Sequence, residues 1–149
     1  MIGAIFGDIE DEFFPSKNQY SFNGFIFEKI TSEIFAKKIN KDNVAFAAVA
    51  SAGAMGWAGA YQFFTKDGKK YMLTAEYIES TEGIDEFFEN VHKPEWRSCN
   101  LGVGNRLYMK SEYYPQFITE KERLNLDKPN KVYRDWCKIA NEILSKKNL

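Results

Sequence analysis

Short apolar runs and stretches of helical spacing alternate along the chain. Met1 to Gly7 is an apolar run closed by Gly7-Asp8, which predicts a first strand. Glu10 to Tyr20 reads as a loop, with Pro15-Ser16-Lys17-Asn18 as turn residues. Ser21 or Asn23 can cap a helix in which Phe27, Ile30, Ile34 and Ile39 roughly keep helical spacing as far as Asn40. Lys37, Lys38 and Lys41 gather near its C-terminal end, where the helix dipole favours cations. Val44 to Ser51 is almost entirely apolar and predicts a buried strand, with helix as the alternative its alanines allow.

Gly53, Gly56 and Gly59 then space a bend around Trp57. Trp57–Thr65 and Tyr71–Ile78 flank Lys66-Asp67-Gly68-Lys69-Lys70, and an Asp-Gly between aromatic-rich runs predicts a hairpin. Period-two counting puts Trp57, Tyr61, Phe63 and Thr65 on one face of the first strand, and Tyr71, Leu73, Ala75 and Tyr77 on one face of the second. Ser80-Thr81 opens a second helix, with Ile84, Phe87, Phe88 and Val91 as its apolar stripe and His92-Lys93-Pro94 as its end. Glu95 to Asn105 reads as irregular, and Arg106 to Tyr114 as a strand closed by Pro115. Phe117 to Pro129 is polar and ambiguous. A last helix begins near Asn130 with Val132, Trp136, Ile139, Ala140 and Ile143 on one face.

The predicted order is β, α, β, β, β, α, β, α. Consecutive strands joined by a tight hairpin pair antiparallel, which gives the α+β class: an antiparallel sheet of four to five strands with helices packed on one face. A length of 149 residues fits a single domain, 1–149. The heavy aromatic content, 13 Phe, 8 Tyr and 3 Trp, supplies core and also rings with polar ends that suit a binding surface.

Charge narrows the partners. Lys and Arg number 20 against 21 Asp and Glu, so the strongly basic footprint of a nucleic-acid-binding domain is missing. No run of about 18 apolar residues is present to span a bilayer. Two cysteines without a Cys-x-x-Cys pair, and an N-terminus that lacks a basic leader, fit a reducing compartment, here taken as the cytoplasm.

Candidate chemistry is sparse. Asp8, Glu10 and Glu12 would share one side of a continued strand and could bind a cation or act as acid and base. His92, the one histidine, lies seven residues before Cys99, and a Cys–His pair would need contact in space. The glycine series lacks both a following helix and a Gly-Lys-Ser/Thr, so it reads as a bend. Met1-Ile2-Gly3-Ala4-Ile5-Phe6-Gly7-Asp8-Ile9 resembles the opening of ADP-ribosylglycohydrolases. That family is all-helical and carries a Thr-Asp-Asp metal motif absent from this chain, so no site is carried over.

The remaining constellation is aromatic. Trp57, Tyr61, Phe63, Tyr71 and Tyr108, with Arg97 and Arg106, would line one sheet face, apolar with a few polar handles as small-molecule sites are. An exposed version would suit a protein interface. Arg106 would hold an anionic group. The expected function is therefore non-catalytic binding of a small anionic or aromatic ligand, or of a protein partner, with no cofactor and no metal; a homodimer is compatible with it. The alternatives are an interaction or inhibitor subunit that blocks a partner protein, and a small hydrolase or isomerase using Asp8, Glu10 or His92.

Overall fold

The structure, a computed structural model, describes residues 18–22, 24–50, 60–74, 82–90, 93–102 and 105–147. Along these residues run β1 (Gln19–Phe22), β2 (Phe25–Lys29), α1 (Ser32–Lys38), β3 (Val44–Ala50), β4 (Ala60–Thr65) and β5 (Lys70–Thr74). They are followed by α2 (Glu82–Asn90), β6 (Trp96–Gly102), β7 (Asn105–Lys110), a 3₁₀ turn (Ser111–Tyr113), α3 (Tyr114–Arg123) and α4 (Pro129–Lys147). The α+β class holds. The strands form one sheet in the order β1-β2-β5-β4-β3-β7-β6. Every neighbouring pair is antiparallel except β2 and β5, which run parallel, so the sheet is mixed and larger than the four to five antiparallel strands expected.

Two of the extra strands replace the predicted first helix. Tyr20, Phe22, Phe25 and Phe27 recur with period two on either side of Asn23-Gly24, and this alternation prevails over the looser helical spacing. An Asn-Gly pair between alternating apolar residues is a strong hairpin signal, and Gly24 takes the positive φ of 83° that the turn requires. Helix α1 is the short remainder. The segment read as irregular is β6, which pairs with β7 from Trp96↔Lys110 to Gly102↔Asn105. Pro115 opens α3 rather than merely closing a strand, since proline is tolerated in the first helical turn. The predicted strand at residues 1–7 lies outside the described residues.

The helices cover both faces of the sheet, not one. On one face Phe27, Phe46, Phe64, Met72, Leu107 and Met109 pack against Phe117 of α3 and Trp136, Ile139, Ala140 and Ile143 of α4. On the other, Val44, Ala47, Phe63, Tyr71 and Leu73 pack against Phe35 of α1 and Ile84 and Phe87 of α2. Consecutive burial in the central strands explains the difference: Gln62 to Thr65 and Tyr71 to Thr74 are buried without interruption. Unbroken burial marks a strand sandwiched on both sides, whereas an open-faced strand alternates. Phe63 meets Phe35 and Phe87 edge-on at 5.4 and 5.6 Å, while Phe64 meets Phe27 and Trp136 at 5.6 and 5.1 Å on the far side.

One central residue works against this packing. Gln62, 1% exposed, lies in register between Ala48 and Met72 beneath α4, and among the described residues neither its amide nitrogen nor its amide oxygen has a hydrogen-bond partner. An unsatisfied buried amide carries its full desolvation cost. Gln62→Leu is expected to stabilise the fold by ~1–3 kcal/mol. A urea unfolding midpoint that rises at unchanged slope checks this; an unchanged or lower midpoint refutes it.

Helices α3 and α4 are clamped by charge. Glu120, its side chain 11% exposed, accepts from Arg123 at 2.9 Å and from Lys146 at 3.2 Å, and Arg123 also reaches Glu142 at 3.3 Å. The Arg123 hydrogen bond first, then that of Lys146, holds the Glu120 carboxyl below the usual carboxylate range. A carboxyl lowered by folding contributes stability that is complete above its unfolded value and is lost as pH falls through the folded one. Glu120→Gln should therefore lower the melting temperature at about pH 7 and narrow its gap to the unsubstituted protein at about pH 3. Parallel pH profiles would show that the clamp adds nothing.

Candidate functional site

Strand register assembles the predicted binding residues row by row. On the face toward α1 and α2, one row across the sheet reads Leu73, Tyr61, Val49, Arg106, Asn100. The next reads Tyr71, Phe63, Ala47, Tyr108, Ser98. Tyr61, Phe63, Tyr71, Arg106 and Tyr108 thus share a face, because side chains of one parity point the same way and paired residues of neighbouring strands follow them. Arg97 is on the opposite face, in register with Met109, and its guanidinium lies 5.6 Å from the centre of the Tyr114 ring at the start of α3. Trp57 lies outside the described residues, as do Asp8, Glu10, Glu12, His92 and the glycines at 53, 56 and 59.

Within the shared face, burial separates core from surface. Phe63 is fully buried under α1 and α2, and Tyr71 is 5% exposed. Tyr61 and Tyr108 are half-buried and Arg106 is exposed. Helix α2 completes the group. Its Phe87 turns inward onto Phe35, Phe63 and Trp96, while Phe88, half-buried, stands between Tyr61 at 5.3 Å and Tyr108 at 5.9 Å. The result is a corner of three partly exposed rings beside an exposed guanidinium. Phe88 belongs to this corner although its spacing marks it as helix core. The only sequence signal is the doublet Phe87-Phe88, whose second ring cannot point the same way as the first on a helix.

The electrostatics suit binding. Burial, then the Asp85 carboxylate, raises the Tyr61 phenol above its ordinary value, so it stays a neutral donor. Arg106 is permanently cationic and forked. Cys99 faces the other layer, against the α3–α4 core, and burial pushes its thiol up. A raised thiol is a poor nucleophile, so Cys99 lacks the activation that cysteine catalysis needs. Among the described residues no group of three His, Cys, Asp or Glu side chains comes together as metal ligands. Among them, too, no helix is long and apolar enough to cross a membrane. Searches of family models, curated proteins and solved structures find no match to this chain.

Proposed function

We propose that this chain is a non-catalytic binding protein whose recognition surface is the corner of Tyr61, Phe88, Tyr108 and Arg106. The observation that carries this reading is the stack of three half-exposed rings around Phe88, on the sheet face that also presents Arg106. The ligand it fits presents a flat ring together with an anionic group, either as a small molecule or as part of a partner. Rings held against a packed layer lose little entropy on binding, and a guanidinium fork matches a carboxylate with two parallel hydrogen bonds. Phe63 and Phe87 beneath them are fixed by the core, so the corner is preorganised rather than assembled by the ligand.

Ligand-observed NMR with benzoate- and naphthoate-type carboxylates, and with the uncharged parent rings as controls, tests the reading. Saturable binding of the carboxylates is expected at or below about 1 mM. Arg106→Glu and Phe88→Ala should each weaken it by roughly tenfold, and the uncharged rings should lose less from Arg106→Glu than the acids do. Carboxylates that fail to saturate, or that bind equally well to both variants, would remove the corner as a recognition site.

A further inference from the structure

At the other end of β4, on the same side of the sheet, four lysines from two segments line one groove of about 490 Å³. Lys37 and Lys38 close α1; Lys66 and Lys69 belong to the β4–β5 hairpin. Asp67 is the one carboxylate among the lining residues, so the wall charge is four minus one, +3, in a chain whose net charge is −1. The hairpin's remaining lysine, Lys70, turns away and lies over the Phe25 and Phe64 rings of the opposite face. Helix-dipole complementarity accounts for Lys37 and Lys38 at a helix end, but it gives no reason for the hairpin lysines to meet them.

The groove is built before any ligand arrives. The Asn40 and Asn43 side-chain oxygens each accept from the other's backbone N–H at 2.9 Å, the Asp42 N–H donates to the Asn40 side chain at 2.8 Å, and the Asn43 amide donates to the Lys38 carbonyl at 2.7 Å, which fixes the end of α1. In the hairpin, the Thr65 hydroxyl donates to Asp67 and accepts from the Lys69 N–H at 3.0 Å. The Lys66 N–H donates to the Asn43 carbonyl at 2.8 Å and ties the two walls together. Two of the lysines form only long, solvent-exposed ion pairs of little worth, Lys69 with Asp67 at 4.0 Å and Lys66 with Glu112 at 3.9 Å.

Tyr71 completes the lining. Its ring is buried in the layer under α1 and α2. Burial first, then the negative charge of Glu28 and Asp67, raises that phenol above its ordinary value, so it stays a neutral donor at the groove.

We infer that this groove is a binding site for the oligophosphate group of a small ligand, held by Lys37, Lys38, Lys66 and Lys69 with the Tyr71 hydroxyl as a neutral donor. Lysine binds phosphate as a point charge, whereas the forked arginines that select planar carboxylates are missing from the lining. A wall charge of +3 matches two or three linked phosphates better than one. The volume falls within the range of small-molecule sites. The groove shares no residue with the corner around Phe88, so loss of either site leaves the other standing.

Calorimetric titration of the full chain with inorganic tripolyphosphate, pyrophosphate and orthophosphate, and with a nucleoside triphosphate, tests this. Tripolyphosphate should bind one to one, more tightly than orthophosphate, and more weakly at about 200 mM than at about 50 mM salt. The nucleoside triphosphate binding as tightly as tripolyphosphate would show that the phosphate chain alone is read; tighter binding would show that the rest of the ligand is read as well. Both results support the site. The double variant Lys38→Glu/Lys69→Glu should weaken tripolyphosphate by roughly tenfold or more. Tyr71→Phe, which keeps the ring and removes only the hydroxyl, should cause a smaller loss. Lys138→Glu, on the exposed side of α4, should cause none. The inference is overturned if tripolyphosphate does not saturate, if Lys138→Glu costs as much as the groove variant, or if single-stranded DNA binds several protein copies with the same lysine dependence, which would mark a general polyanion surface.

Discussion

Phe63 and Phe64 are neighbours on the central strand β4, and because side chains alternate across a strand they bury rings on opposite faces of the sheet. Neither face can then be left to water. Phe64 requires the α3–α4 layer, with Trp136 seated 5.1 Å away, and Phe63 requires the α1–α2 layer, with Phe35 and Phe87 edge-on to it. Each such ring contributes roughly 1.5–3 kcal/mol on leaving water. The three-layer architecture is the consequence of that one dipeptide and of its partners in register, Ala47 beside Phe63 and Phe46 beside Phe64.

Much of this was legible in the sequence, and the misses have physical causes. The β4–β5 hairpin, the stripe of α2 and the buried face of α4 are carried by strong local signals, and strand β3 by an unbroken apolar run whose alanines left helix open. The first predicted helix holds only over Ser32–Lys38; before it, Phe27 and Ile30 keep helical spacing by coincidence, while Tyr20, Phe22, Phe25 and Phe27 alternate about an Asn-Gly turn, and tertiary pairing with β5 decides between them. Strand β6 is polar, with exposed Arg97 and Ser98, because it is an edge strand, and edge strands carry little hydrophobic signal. The second helical layer was missed because Gln62 and Thr65, polar by type, occupy fully buried positions and disguise a two-sided strand as a one-sided one.

The candidate residues were legible in kind but not in grouping. Tyr61, Phe63, Tyr71, Tyr108 and Arg106 do share a face, as period-two counting implied once β4, β5 and β7 were recognised as strands. Whether they form a pocket depended on what covers them, and α2 covers Phe63 while leaving Tyr61 and Tyr108 at its margin. Arg97 falls on the other face because the β6–β7 register sets it opposite Met109, and a segment read as irregular carries no phase from which to foresee that. The lysine groove could not be read from the chain at all. Lys37 and Lys38 are about 30 residues from Lys66 and Lys69, and only the pairing of β3 with β4 brings the ends of α1 and the hairpin side by side.

Both candidate sites lie where the α1–α2 layer runs out along β4. Tyr61 and Thr65 are four residues apart on one strand, a separation of roughly 13 Å at the usual strand rise. Between them Phe63 is sealed under Phe35 and Phe87, so the two sites are divided by the most tightly packed part of that layer. Charge divides them as well. The corner offers one guanidinium among neutral rings and beside Asp85, while the groove offers four ammonium groups around one carboxylate. If both proposals hold, a field that weak at one end and that strong at the other would sort anions by how much charge they carry rather than by shape alone. On the two proposals, the same strand would present a surface for a ring bearing a single negative group and, at its other end, a surface for a chain of them.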